Sequence, residues 1–130
     1  MKTISGSFDV EVTPVSDGDI PDGVARMKIS NKVFKGVLDA RSEGVMLAYR
    51  GSEGGAGYVA MEVVEGTLDG RRGRFVLQHF GLMSERAEVL RIEVVPGSGT
   101  EELSGLHGQM KIVIEAGVHG YVFDYAIGDE

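Results

Sequence analysis

The chain contains no cysteine and no tryptophan, and only three of its 130 residues are proline. Without cysteine there is no disulfide framework, no thiol nucleophile and no cysteine-ligated metal site. No apolar run has the length needed to cross a membrane as a helix. The first six residues also lack the apolar core of a signal peptide. Together these features predict a cytoplasmic protein.

Positive charge is scarce as well. Lysine and arginine total 13 against 20 acidic residues, so the formal net charge is −7. Nucleic acids and anionic membranes select basic surfaces, and we therefore expect neither as a partner. Arg71, Arg72 and Arg74 form a local cluster, but Asp69 lies beside them in a predicted turn. We interpret the cluster as a solvated hairpin tip, with a phosphate or carboxylate site as the alternative.

Glycine is in excess, with 20 residues, which is about twice its usual share of roughly 7%. The hydrophobic fraction of 42% and the charged fraction of 25% are ordinary for a globular protein. A chain of 130 residues fits a single domain, which we place over residues 1–130. Because there is no low-complexity run, the glycines indicate tight turns and close strand crossings rather than a linker.

Apolar and polar residues alternate along most of the chain, a pattern typical of half-buried β-strands. In the first segment, for example, Ile4, Phe8 and Val10 share one face. No segment shows sustained helical spacing. The alternation predicts eight strands, near residues 4–13, 24–30, 33–40 (continuing toward 49), 58–68, 74–83, 89–95, 109–115 and 119–127.

Eight strands in so short a chain require a sheet that closes on itself or splits into a sandwich. Closure removes exposed strand edges, and glycines recur at predicted inward positions such as Gly6, Gly36, Gly66 and Gly108. We therefore predict an all-β fold, a closed antiparallel eight-stranded β-barrel with mostly meander connections.

The fourth and fifth predicted strands form a hairpin whose apolar face carries two ionisable residues, Glu62 and His79. Pairing Leu68 with Gly73 across a four-residue loop places Glu62 opposite His79 and Gly66 opposite Phe75. The last hairpin, paired at Glu115 and Val118, likewise has an apolar and aromatic inner face. A buried polar pair on such a face is costly unless the two groups contact each other.

Six residues on the predicted inner face are candidates for a site. Glu62 and His79 could act as a catalytic acid–base pair, and the alternative is a buried pair that only fixes the register. The predicted ligand-binding residues are Tyr58, Glu62, His79, His119, Tyr121 and Tyr125, since tyrosines suit an apolar pocket with a few polar groups. His79, His119 and Glu62 are ligand types for a metal, but no histidine spacing supports one, so we expect neither a metal nor a cofactor.

Several spaced signatures resemble a bacterial family known only as domain of unknown function 3224. They occur in the family's order and span nearly the whole chain: Phe8; Phe34, Gly36 and Leu38; Glu62 with Gly66-Thr67-Leu68-Asp69-Gly70-Arg71, Gly73, Phe75-Val76-Leu77-Gln78-His79 and Gly81; Val94-Val95-Pro96-Gly97-Ser98-Gly99-Thr100; Leu103, Gly105, Leu106 and Gly108; and Tyr121 with Phe123-Asp124-Tyr125. The resemblance implies an eight-stranded barrel similar to that of allene oxide cyclase. It implies no activity, because the family has none assigned and fold alone does not give one.

Three functions remain open from the sequence. The first is a barrel that binds a small, mainly apolar ligand inside. The second is an isomerase or cyclase that moves a proton with Glu62 or His79. The third is a solid-core module that forms a homo-oligomer through an outer apolar patch, since Val59, Met61, Phe80 and Leu82 share the outer face of the hairpin.

Overall fold

The computed structural model describes residues 1–16, 18 and 20–128. The eight predicted strands form a closed antiparallel barrel in the order β1 to β8, which confirms the predicted fold. The strands are β1 (Lys2–Val15), β2 (Val24–Gly36), β3 (Leu38–Arg50), β4 (Ala56–Leu68), β5 (Arg71–Met83), β6 (Glu88–Val94), β7 (Leu106–Glu115) and β8 (Val118–Ile127).

The β4–β5 hairpin differs in register from its prediction. Asp69 and Gly70 both have positive φ, 51° and 78°, so they form a two-residue turn of the type that matches strand twist. Leu68 therefore pairs with Arg71, not with Gly73. The four-residue loop was wrong by two positions, although an even error leaves every side chain on its predicted face.

This shift changes the predicted neighbours. Glu62 pairs with Leu77, and His79 pairs with Ala60, so Glu62 and His79 are diagonal rather than opposite. Gly66 pairs with Gly73 instead of Phe75. In the last hairpin the predicted register is confirmed, because Glu115 pairs with Val118 across a similar turn at Ala116 and Gly117.

The boundary between β2 and β3 also differs from the prediction. One strand continues through Asn31 to Gly36, and the chain turns at Val37. The pairing with β3 is irregular between Ile29 and Lys32, and Asn31 has a φ of 50°. This bulge adds a residue to one strand, so Ile29 and Lys32 both point inward although they are three positions apart.

One end of the barrel is packed solid. Its interior contains Phe34, Phe75, Phe123, Leu38, Leu68 and Tyr121, each at most 1% exposed. A short 3₁₀ helix at Glu101–Leu103, which the sequence pattern did not predict, places Leu103 in this core. The sequence left open whether the barrel is hollow or packed, and in this half it is packed.

The other end is more open. In the described residues, β6 and β7 pair only at Ile92 with Met110 and at Glu93 with Gln109. Among the described residues, the last hairpin likewise pairs with β1 only over residues 120–125. At this end the wall is thus built mainly by β1 to β6, and the tip of the β7–β8 hairpin is exposed.

Candidate functional site

Glu62 is the centre of a buried polar cluster. Its side chain is fully buried, and the neighbouring strand approaches closely because the residue paired with it is Gly44. A Cβ on Gly44 would lie 2.4 Å from the Met61 carbonyl oxygen. The packing of β3 against β4 at this point therefore requires glycine.

Lys32 reaches Glu62 from β2. Its Nζ lies 3.0 Å from Oε2 and 3.2 Å from Oε1 of Glu62, and the residue is only 5% exposed. The same ammonium group lies 4.6 Å and 4.8 Å from the ring centroids of Phe8 and Phe34. Two aromatic faces and a carboxylate thus compensate a buried positive charge that would otherwise be strongly unfavourable.

Two further groups contact the carboxylate. Ser42 on β3 donates a hydrogen bond from Oγ to Oε2, and His79 Nε2 lies 2.8 Å from Oε1. Burial by itself raises the pKa of Glu62, but the hydrogen bond from His79, the charge of Lys32 and the hydrogen bond from Ser42 outweigh it. Together they lower the pKa to about 2. Glu62 is therefore a carboxylate at neutral pH.

The cluster extends through His79 to Tyr58. The Nδ1 atom of His79 lies 3.2 Å from the Tyr58 hydroxyl, and the two rings are 6.0 Å apart. Burial and the negative charge of Glu62 raise the pKa of Tyr58, so its side chain is a neutral phenol at pH 7. Lys32, Glu62, His79 and Tyr58 thus form one continuous polar chain.

Gly81 determines where the Tyr58 ring lies. The two residues pair across β4 and β5, and a Cβ on Gly81 would lie 2.4 Å from Cε1 of Tyr58. The ring therefore lies directly over the glycine. Any larger residue at position 81 would have to displace it from this place.

Tyr58 also lines a cavity at the open end of the barrel. The cavity has a volume of about 580 Å³ and its surface is mainly apolar. Met27, Met46, Ala48, Gly81 and Leu90 line it together with Tyr58. The charged residues that reach it, Arg50 and Glu88, are exposed. A mostly apolar wall that includes Tyr58 and Tyr49 suits a small apolar ligand.

The structure brings three of the six predicted site residues together: Tyr58, Glu62 and His79. Tyr121 and Tyr125 lie in the packed half, where the hydroxyl of Tyr121 donates to the backbone oxygens of Lys35 and Leu38, and Tyr125 stacks on Phe123 at 5.3 Å. His119 is exposed, with its ring 5.3 Å from Phe8. The two tyrosines therefore belong to the packed core, and none of these three residues lines the cavity.

Sequence reasoning missed Lys32 and Ser42. The inward residues of β2 change from odd positions (Met27, Ile29) to an even one (Phe34), and this change of phase was the signal for a bulge that brings Lys32 inside. Ser42 belongs to the same even-numbered inward series as Ala40 and Gly44. A lone serine in such a series carries little signal before its partner is known.

The described residues contain neither a metal-binding cluster nor a helix able to cross a membrane. Across residues 1–16, 18 and 20–128, no group of three or more histidine, aspartate and glutamate side chains is arranged to hold a metal ion. In the same part of the chain, no helix has the length and apolar character needed to cross a membrane.

The fold and the site define a class, a small closed antiparallel barrel with an apolar cavity at one end and a buried ionised cluster beside it. The family described as "Protein of unknown function (DUF3224)" matches residues 4–125, and the chain belongs to that family, as its signatures predicted.

The chain is also similar to a solved crystal structure, that of a protein with unknown function from the DUF3224 family from Shewanella oneidensis MR-1. The two are 46% identical, the TM-score is 0.91, and 98% of each chain is covered. A comparison with curated proteins gives no match. The protein is therefore a small β-barrel of a family to which no function is assigned.

Proposed function

We propose that the protein binds a small, mainly apolar ligand at the open end of the barrel. The observation that carries this proposal is the cavity of about 580 Å³ with its mainly apolar wall, which includes Tyr58. Typical small-molecule pockets have volumes of roughly 300–1,000 Å³ and combine apolar walls with few polar groups. The packed half of the barrel supplies a rigid support beneath it.

We expect the neutral apolar fluorophore N-phenyl-1-naphthylamine to bind saturably, and the substitution Ala48→Phe to weaken that binding at least tenfold. Ala48 lines the cavity, so a phenyl ring there occupies ligand volume. The matched control is Leu47→Phe, which adds an aromatic ring on the outer, exposed face of the same strand. Fluorescence titration of the three proteins gives the affinities. No saturable binding to the unaltered protein, or equal binding to Ala48→Phe, contradicts the proposal.

An acid–base function of Glu62 and His79 stays a prediction. Glu62 is fully buried and His79 contacts Tyr58, so a proton exchanged with a bound molecule would pass through the Tyr58 hydroxyl. This arrangement supports binding more directly than catalysis by the carboxylate. The cytoplasmic location likewise stays a prediction from the sequence.

We also propose that two copies of the chain associate through an outer apolar face on β3 to β6. This face consists of eight side chains, each 40–54% exposed: Val45, Leu47, Tyr49, Val59, Met61, Phe80, Leu82 and Val89. Leu47, Val59 and Phe80 form one continuous row across three strands. The predicted outer patch of four residues is thus part of a larger surface.

The distribution of charge favours a second copy of the chain as the partner of the outer apolar face. The chain carries a net charge of −7, whereas the charged residues on β6 beside this face, Arg91 and Glu93, form an ion pair with each other. Two acidic copies therefore meet at this face with the least repulsion. A standard interface takes about 800 Å² from each partner, and eight large half-exposed side chains with their rim supply an area on that order. A symmetric dimer would pair the face with itself.

We expect the protein to sediment as a dimer at micromolar concentration and the substitution Phe80→Lys to convert it to a monomer. A lysine in the centre of the face would bury an unpaired charge in the interface. The control is Val118→Lys, at an exposed apolar position on the last hairpin, away from this face. Analytical ultracentrifugation decides the matter: a monomeric parent protein, or a Phe80→Lys variant that remains dimeric, overturns the proposal.

A further inference from the structure

The hydrogen-bond chain from Glu62 to Tyr58 has a direction. An ionised carboxylate only accepts hydrogen bonds, and Glu62 is held ionised by Lys32 at 3.0 Å and by Ser42. His79 Nε2 lies 2.8 Å from the carboxylate. This nitrogen must therefore carry a hydrogen and donate it to Glu62.

The hydrogen on Nε2 determines whether Nδ1 of His79 donates or accepts a hydrogen bond. A neutral imidazole has one N–H group and one acceptor nitrogen. With the hydrogen on Nε2, the Nδ1 atom is the acceptor, and its partner at 3.2 Å is the Tyr58 hydroxyl. Tyr58 therefore donates its phenolic hydrogen to His79, into the protein and away from the cavity.

Tyr58 lines the cavity, so a ligand that reaches its hydroxyl would meet an oxygen with free acceptor capacity. A hydroxyl oxygen has two lone pairs, and its single hydrogen is already used. A ligand carbonyl or ether oxygen would meet lone pairs, whereas a ligand hydroxyl or N–H group would find an acceptor. The hydrogen-bond chain from Glu62 to Tyr58 thus favours ligands that carry a hydrogen-bond donor.

We propose that the cavity selects apolar molecules that carry a hydroxyl or N–H donor, with the Tyr58 oxygen as the acceptor. This inference rests on the proposed ligand-binding function and names the chemical class of its ligand. His79 and Glu62 do not touch the ligand. They act as positioning residues that orient the Tyr58 hydrogen.

A matched pair of probes tests the inference, 2-naphthol and 2-methoxynaphthalene. They share a ring system and an oxygen atom, but only the naphthol has a donor. Apolar burial alone favours the ether, because it has an extra methyl group. A hydrogen bond to Tyr58 reverses that order, and we expect the naphthol to bind about tenfold more tightly.

Displacement of N-phenyl-1-naphthylamine gives the ratio of the two affinities within each variant. We expect Tyr58→Phe to abolish the preference for the naphthol. The control Tyr49→Phe makes the same chemical change at the cavity rim, outside the hydrogen-bond chain, and we expect it to keep the preference. Thermal unfolding of each variant establishes that it is folded.

The outcomes separate the two claims. If neither probe displaces the fluorophore and the fluorophore itself does not bind, the proposed ligand-binding function fails. If the fluorophore binds but the ether binds as tightly as the naphthol, the cavity stands and the donor preference is wrong. A preference that survives Tyr58→Phe also overturns the inference.

The tautomer of His79 provides a test without any ligand. Long-range ¹H–¹⁵N NMR correlations distinguish an imidazole protonated at Nε2 from one protonated at Nδ1. We expect the Nε2–H form in the unliganded protein at neutral pH. Observation of the Nδ1–H form, or of a ring protonated at both nitrogens, would overturn the inference directly, because Nδ1 would then donate to Tyr58.

Discussion

The substitution Lys32→Met is expected to lower the free energy of unfolding by about 3–5 kcal/mol, the usual cost of removing one partner from a buried ion pair. Glu62 is fully buried. Among the described residues, Lys32 is the only lysine or arginine that forms an ion pair with it. Methionine preserves much of the volume between Phe8 and Phe34. The loss is therefore mainly electrostatic, and urea denaturation at pH 7 measures it.

Two further variants serve as controls for this measurement. Lys28→Met changes an exposed lysine on the same strand, and we expect it to alter stability by less than about 0.5 kcal/mol. Combining Lys32→Met with Glu62→Leu removes both charges, and we expect the double variant to be more stable than Lys32→Met alone. A Lys32→Met protein as stable as the parent would show that the pair does not contribute to folding.

The protein is also expected to lose stability steeply in acid because of Glu62. Its pKa falls from an ordinary 4.5 to about 2 in the folded chain. A group with a depressed folded pKa stabilises the fold fully above its unfolded value and loses that contribution as the pH falls toward the folded value. We thus expect about 3 kcal/mol to disappear between roughly pH 4.5 and pH 2.

A double variant, Lys32→Met with Glu62→Gln, separates the contribution of Glu62 from that of the other carboxylates. It keeps the shape of the site and removes both charges, so the exposed acidic residues titrate as before. Urea denaturation at intervals between pH 5 and pH 2 should give a shallower loss of stability for this double variant than for the parent. Parallel losses in the two proteins would contradict the assignment to Glu62.

The face on which each hairpin residue lies was predictable even where the pairing was not. Glu62 and His79 were assigned to the inner face, and both are buried there, although the register was wrong by two positions. Side-chain direction in a strand depends only on whether the position is odd or even. The correct pairing followed from Asp69 and Gly70, whose turn chemistry is local and was open to prediction from the sequence.

The partners of Glu62 were only partly predictable. His79 lies on the adjacent strand of the same hairpin, so the sequence placed it near Glu62. Lys32 lies 30 residues away and reaches the carboxylate only because a bulge at Asn31 changes the phase of β2. A strictly alternating strand would have directed this lysine outward.

The sequence by itself determined the strands, most of their inward residues and the antiparallel order, because alternation and turn residues act between neighbours in the chain. Only the tertiary structure decided which half of the barrel is solid and which charge accompanies Glu62. Leu103 fills one end from a 3₁₀ helix, while β2 to β6 leave a cavity at the other. These features depend on side-chain volumes and charges from strands distant in sequence, which meet only when the barrel closes.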